Sequence, residues 1–213
     1  MEKDLSGYRK EYKQKELLEK DLPDNPIQLF QTWFYEVENN DSYEANAMTL
    51  STIGLDNYPR NRVVLLKKYY EEGFVFFTNY KSDKGKSIAV NPNVCLSFFW
   101  ATMERQVIIK GVAEKVDSYI SDNYFHLRPK GSQLGAVVSN QSELISNRDV
   151  LENKLRELEN EYQSKDVPRP DNWGGYLVRP ISIEFWQGRP NRLHDRIKYT
   201  ISGLDWKIER LAP

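Results

Sequence analysis

The sequence predicts an α+β fold, one domain built around an antiparallel β-barrel with helices at its periphery. Three observations carry this. Short runs rich in β-branched and aromatic residues lie towards both ends of the chain, helical-period segments lie between and before them, and the turns LDNYP and YEEG punctuate the first strands as in an antiparallel meander. The 213 residues suffice for one large domain or two small ones; no internal repeat or low-complexity tract is visible, and strands from both ends with helices between suggest one.

Taken in order, residues 1–22 are highly charged and read as a loose or helical mobile segment carrying Tyr8, Arg9 and Tyr12, ahead of a single domain over 23–213. Asn25 as N-cap and Pro26 at the first helical position start a helix, and Ile27, Phe30, Phe34 and Val37 recur at helical spacing. From residue 47 the period changes: AMTLSTIG, NRVVLLKKYY and GFVFFTNY read as three strands. Ser82 caps a short helix over 83–90 that stops at Asn91-Pro92. NVCLSFFW and ERQVIIKGVAEKV are strands, and 118–127 is a helix ending before Pro129. Ser146 and Asp149 form a capping-box pattern ahead of a helix with Leu151, Leu155, Leu158 and Tyr162 on one stripe. After a polar, Pro-rich connection (164–172), WGGYLVRP, ISIEFWQG, NRLHDRIKYTI and DWKIERLAP read as strands.

Composition bounds the chemistry. With 30 basic and 31 acidic side chains the net charge is −1, which argues against a general nucleic-acid binder. The single cysteine, Cys95, forbids an intrachain disulfide and suits a reducing compartment; in its apolar strand it reads as a small inert hydrophobe. One cysteine and two histidines assemble no zinc site, so no metal is expected. The charged N-terminus is no secretory signal, and no apolar run reaches membrane-spanning length, so the expected address is the cytoplasm, with no membrane association.

No Gly-rich phosphate loop occurs, so any phosphate must be held by side chains, and three places qualify. Arg62 and Lys67 bracket the apolar strand RVVLLK, where snorkelling at the strand ends is the alternative. Ser82 with Lys84 stands at a helix N-terminus, whose free N–H groups favour anions; a plain cap with a surface lysine is the bland reading. In YFHLRPKGSQ, Tyr124 and Arg128 are four apart, hence on one helix face, and Ser132 follows a tight turn at Gly131; the three make a plausible phosphate clamp. His126 points elsewhere and reads as structural. In NRLHDR, an extended chain would put Arg192, His194 and Arg196 on one face and Leu193 with Asp195 on the other, an arrangement that is costly unless an anion faces the cations.

RVVLLK, FFTN (76–79), RQV (105–107), YFHLRPKGSQLGAVVSNQS (124–142), WGGY, EFWQG, NRLHDR and DWKIERLAP together resemble the pyridoxamine 5′-phosphate oxidases, in order from about Tyr8 to Pro213. The resemblance implies an FMN-binding split barrel working as a homodimer, with FMN in the subunit interface. Carried over by motif, FMN contacts fall on Arg62, Val63, Val64, Leu65, Leu66, Lys67, Phe77, Thr78, Lys84, Gln106, Gln141, Ser142, Trp186 and Arg196. The substrate phosphate falls to Lys67, Tyr124, Arg128 and Ser132. Arg192 and His194 would lie over the reacting pyridine as the catalytic pair, and Arg9 and Tyr12, from RKEY, would close over it as a lid.

The reaction so implied oxidises pyridoxamine 5′-phosphate or pyridoxine 5′-phosphate to the aldehyde, pyridoxal 5′-phosphate, with hydride passing to the flavin and oxygen reoxidising it to give peroxide. His194 would orient substrate first and move a proton second. One departure stands out: Asp83 occupies the position where many members carry an arginine, and an acid beside the FMN phosphate weakens binding unless it turns away to support the helix N-terminus. Two rivals remain at this level. Another split-barrel flavoprotein, such as a flavin reductase, has no need of the Tyr124–Arg128–Ser132 clamp, and for a non-catalytic pyridoxal phosphate binder the FMN set is superfluous.

Overall fold

The computed structural model describes residues 3–40 and 44–213. The elements are α1 (Pro26–Asn39), β1 (Ala47–Ile53), β2 (Pro59–Leu65), β3 (Lys68–Tyr70), β4 (Gly73–Asn79), α2 (Asp83–Val90), β5 (Asn93–Trp100), β6 (Arg105–Lys115), α3 (Ser118–Leu127), α4 (Lys130–Val138), α5 (Asp149–Glu161), β7 (Trp173–Gln187), β8 (Asp195–Ser202) and β9 (Asp205–Leu211). The strands hydrogen-bond in the order β2-β1-β5-β6-β7-β4-β3, with β8 on β7 and β9 on β8. The β3–β4, β4–β7, β7–β8 and β8–β9 pairs are antiparallel. β2 and β3 stand at opposite ends of the seven-strand path, yet only Leu66 and Lys67 separate them in sequence. The sheet therefore curls back towards its own first edge, which is the split-barrel arrangement. NRVVLLKKYY is thus two strands, not one: the chain changes edge at Leu66, and the Lys67 N–H already donates to Val75 O on β4 (2.8 Å).

Two compact units share these strands: residues 1–49, 96–110 and 180–213 form the first, and 50–95 with 111–179 the second. In the first, Asn25 Oδ1 accepts from Ile27 N and Pro26 follows it, which starts α1 where the cap pattern predicts. The apolar face of α1 sets Phe30 edge-on to Phe98 (5.2 Å) and Trp33 edge-on to Phe185 (5.2 Å). Phe30 is fully buried, so Phe30→Ala should cost about 3–5 kcal/mol. Tyr199 packs against Phe185 and donates its hydroxyl to Pro23 O (2.9 Å), and burial pushes its phenol up to about 12.

In the second unit, β4 buries Phe74, Val75 and Phe76 along β7, and Phe125, Leu134, Val167 and Trp173 form a smaller cluster under α5, whose Leu155, Leu158 and Tyr162 cover it. The α5 stripe is as predicted, but its cap is not. Arg148 is the N-cap without a side-chain bond, and Asn147 Oδ1 instead accepts from Val150 N (3.3 Å). WGGYLVRP and ISIEFWQG form a single strand, β7. Pro180, which lacks an N–H, falls in the gap between the partners β4 (to Val178) and β8 (from Ser182), where that edge has no ladder bond to lose. Residues 3–18 form no helix or strand, and a short 3₁₀ turn follows at Glu19–Asp21. No helix among the described residues is long and apolar enough to cross a membrane.

Candidate functional site

The second unit holds a cavity of about 890 Å³ that gathers most of the predicted phosphate-binding side chains. β2 forms one wall. Val63 is 69% exposed, Val64 and Leu65 are half-buried, and all three line the cavity, while Leu66 is buried. At one end of that wall, Arg62 Nη1 donates to Leu50 O (3.1 Å), Thr52 Oγ1 (2.8 Å) and Arg60 O (3.0 Å). All three acceptors are neutral. They fix the guanidinium without neutralising it, and burial and the nearby Arg60 push its pKa down. Lys67 lines the same cavity.

α2 delivers the next cation. Ser82 caps the helix by accepting from Gly85 N (3.3 Å), which places Lys84 in the first turn with only 7% of its surface exposed. Its Nζ donates to Gln141 Oε1 (3.2 Å) and Ser82 Oγ (3.4 Å), again neutral acceptors. Burial, reinforced by Arg62, pushes Lys84 down to about 8. Gln141 Oε1 also accepts from Thr78 Oγ1 (3.5 Å), and Ser142, at φ +75°, accepts from Asp83 N (3.3 Å). Gln141, Ser142, Thr78 and Lys84 thus form one polar floor. The Asp83 carboxylate turns to Arg60 (3.5 Å), which also grips Asp56 (2.8 Å).

Aromatic rings line the cavity as well. Tyr124 stacks on Phe77 (4.0 Å between centroids) and Phe77 on Trp173 (5.5 Å). Arg128 does not share a helix face with Tyr124. α3 stops at Leu127 because Pro129 disfavours helical geometry at the residue before it, and Arg128 is extended (φ −72°, ψ 148°). Its guanidinium lies over the Trp173 ring (4.7 Å), and Gln133 Nε2 holds its carbonyl (2.8 Å). The tight turn expected at Gly131 is instead the first turn of α4, with Ser132 N bonded to Pro129 O (2.8 Å). Tyr124, Arg128 and Ser132 nevertheless line the cavity together. Arg128 Nη1 is buried without a hydrogen-bond partner, a costly state that an anionic oxygen would relieve. His126 Nδ1 pairs with Asp122 O (2.8 Å) on its own helix, in keeping with a structural role.

The first unit holds a second group, around a cavity of about 560 Å³ lined by Arg9, Tyr12, Arg192 and His194. Here the extended geometry expected for 191–194 is overturned. Pro190–Arg192 is a 3₁₀ turn, and Asn191 (φ +57°) and Arg192 (φ +62°) are left-handed, so strand alternation begins only at Asp195. Arg192 and His194 nevertheless line one cavity. His194 Nδ1 accepts from Arg189 N (3.1 Å), which assigns the ring proton to Nε2, and burial followed by the Arg192 charge lowers its pKa. The ring sits against Trp186 (4.7 Å) and Tyr12 (5.7 Å). Arg196 pairs with Glu184 (2.8 Å) and Ala212 O (3.0 Å). Asp195 accepts from Leu17 N (3.1 Å) and Arg210 Nη1 (2.7 Å). Gln106, Trp186 and Arg196 lie on β6, β7 and β8 of this unit and line neither cavity. Sequence reasoning missed Trp173 as the platform for Arg128 and Glu104 as the partner of the N-terminal segment. Trp173 lay in plain view in WGGY; nothing in the pattern marks Glu104.

Residues 39–162 match the sequence model of a family described as pyridoxamine 5′-phosphate oxidase, and 173–213 match one described as the pyridoxine 5′-phosphate oxidase C-terminal dimerisation region. The chain is 64% identical to a pyridoxine/pyridoxamine 5′-phosphate oxidase of Flavobacterium johnsoniae, over 98% of this chain and 99% of that one. It is 60% identical to the protein of the same name from Flavobacterium psychrophilum, over 99% and 100%. Among solved structures, PhzG from Burkholderia lata, crystallised with tetrahydrophenazine-1-carboxylic acid, superposes with a TM-score of 0.87 at 27% identity, covering 91% of this chain and 95% of that one.

Proposed function

Because the chain belongs to the pyridoxamine 5′-phosphate oxidase family, we propose that it oxidises pyridoxamine 5′-phosphate or pyridoxine 5′-phosphate to pyridoxal 5′-phosphate, using FMN and oxygen and releasing hydrogen peroxide. The observation that carries the reading is a cavity with desolvated cations and no carboxylate bonded to them: Arg62 and Lys84 meet neutral acceptors only, and Arg128 Nη1 meets none. Such a set fits phosphate oxygens, and two separate cationic patches in one cavity suit two phosphorylated ligands.

Arg62, Lys84, Thr78, Gln141 and Ser142 would hold the FMN phosphate and its polar chain, and the apolar residues of β2 that line the cavity, Val63, Val64 and Leu65, suit a flat ring. Lys67, Tyr124, Arg128 and Ser132 would take the substrate phosphate, with Arg128 stiffened by its stack on Trp173. FMN, when bound, supplies the redox chemistry, accepting the hydride and passing its electrons to oxygen. Arg192 and His194 would face the reacting ring of the substrate. His194 Nδ1 accepts from Arg189 N, which leaves Nε2 to face a ligand, and the residue would orient substrate first and move a proton second. Gln106, Trp186 and Arg196 would complete the flavin site. A homodimer is part of the proposal, supported by the match of 173–213 to a dimerisation region. So is a reducing cytoplasmic setting, supported by the single cysteine.

The test is direct. The purified protein should be yellow, heat should release FMN and not FAD, and pyridoxamine 5′-phosphate should yield peroxide and aldehyde in equal amounts. A colourless protein that stays inactive with added FMN refutes the proposal.

A further inference from the structure

Glu104 is a buried acid outside the groups assigned above. It is 2% exposed and sits at φ +54°, a left-handed conformation that side chains other than glycine and asparagine rarely adopt. Its carbonyl accepts from Gly188 N (2.7 Å) and Gln187 Nε2 (3.2 Å), and these bonds tie the turn before β6 to the end of β7. Its carboxylate does something else. Oε2 accepts the successive backbone N–H groups of Lys13 (2.8 Å) and Gln14 (3.1 Å), and Oε1 pairs with Lys10 Nζ (3.3 Å). All three partners lie on the N-terminal segment, which has no helix or strand ladder to satisfy those N–H groups.

What the carboxylate fixes is the place of Tyr12. Its ring stands edge-on to Trp186 (5.6 Å) and close to His194 (5.7 Å), and with Arg9 it walls the cavity that holds Arg192. Gly188 is its seat: a Cβ there would come 2.7 Å from Tyr12 Cγ and 3.1 Å from Glu104 Cβ, so any side chain displaces one or the other. Beyond residue 14 the segment has other anchors, with Leu17 N on Asp195 and Lys15 O on Arg189.

We propose that Glu104 is a positioning residue for the substrate: its carboxylate docks residues 10–14 so that Tyr12 forms one wall of the Arg192–His194 cavity, with Gly188 as the complementary seat. The kinetic part rests on the oxidase reading; the docking part does not.

The experiment compares full-length wild type with Glu104→Gln, which loses the charge and sets an amide –NH₂ against either the backbone donors or Lys10 Nζ, and with Gly188→Ala, which crowds Tyr12 while keeping the carboxylate. Trypsin cleavage after Lys10 and Lys13 should accelerate by about tenfold or more in Glu104→Gln, the scale set by losing a charge-assisted bond, while cleavage elsewhere stays unchanged. KM for pyridoxamine 5′-phosphate should rise about tenfold in both variants, on the same scale, with kcat and flavin content close to wild type. Wild-type cleavage at Lys10 and Lys13 in a folded Glu104→Gln protein overturns the docking. Faster cleavage with unchanged KM overturns the positioning role. If Glu104→Gln fails to fold, the KM of Gly188→Ala decides that role alone. If the wild type oxidises neither vitamer phosphate, the oxidase reading falls and the cleavage pattern still decides the docking.

Discussion

Raising the pH from 7 to 9 should weaken the binding of FMN to the apoprotein about tenfold and leave riboflavin unaffected. The perturbation acts on Lys84, held down to about 8 by burial and by the neighbouring Arg62 charge, with only Gln141 Oε1 and Ser82 Oγ as acceptors. A phosphate dianion binds the protonated amine, so above pH 8 each binding event must first take up a proton. From there the apparent Kd rises about tenfold per pH unit, until the lysine in the complex itself titrates. The phosphate does not confound the window, since its second ionisation lies near pH ~6 and is complete by pH 7. Riboflavin shares the ring and lacks the phosphate, so any titration of the ring or of the rest of the cavity appears in both curves and cancels in their ratio.

The same depressed pKa has the opposite sign for stability. Unfolded, Lys84 keeps its proton up to its ordinary value of 10.5; folded, it releases it above about 8, so the unfolded state binds more protons between those limits. The contribution of Lys84 to the stability of the apoprotein therefore rises across the window in which flavin affinity falls. Quenching of flavin fluorescence on titrating apoprotein, between pH 6.5 and 9.5, measures the affinities. Lys84→Met should bind FMN more weakly at pH 7 and lose the excess slope. Parallel FMN and riboflavin curves, or a slope that survives in Lys84→Met, refute the assignment of Lys84 to the phosphate.

Arg128→Met should keep the flavin and raise KM for pyridoxamine 5′-phosphate about 10- to 100-fold, the loss expected for a charge-assisted bond, and an unchanged KM in steady-state assays removes Arg128 from the substrate site. Asp195→Ala, which strips acceptors from Leu17 N and Arg210, should lower stability by about 1–3 kcal/mol in urea titrations while flavin content and kcat persist; loss of turnover in a folded, flavin-loaded protein contradicts this. Arg60→Ala should weaken FMN only a few-fold, because the Arg60–Asp83 pair is exposed and screened by solvent, and riboflavin affinity should not change.

Much of the fold was legible because the deciding signals are local. Asn25-Pro26, Ser82 and Pro129 set the start of α1, the start of α2 and the end of α3 by backbone chemistry that needs no distant partner. The misses came where a distant partner decides. NRVVLLKKYY has no turn signal, yet it breaks at Leu66 because β2 and β3 serve opposite ends of the strand path. α4 starts without a side-chain cap and contains Gly131 and Gly135, so KGSQLGAVV carries little helical signal of its own, and its inward Gln133, Leu134 and Val138 supply the reason to fold. At 191–194 a local signal was present and misread: asparagine tolerates the left-handed region, and Asn191 adopts it.

For the candidate site, residue types were readable and their electrostatic state was not. Lys84 and Lys86 stand two apart in DKGKSIAV, and the string places Lys84 at the helix N-terminus without showing that it is buried while Lys86 is exposed. What distinguishes Lys84 is Gln141, 57 positions away, which covers it and offers only a neutral oxygen. Arg128 is likewise one arginine among several until Trp173, 45 positions on, lies beneath it and leaves Nη1 dry. Anion sites made by helix N-termini and glycine loops announce themselves in sequence because the backbone makes them. A site made of side chains becomes one only when long-range packing removes water from cations and supplies no acid in exchange, and that desolvation is what the pH and Arg128→Met experiments measure.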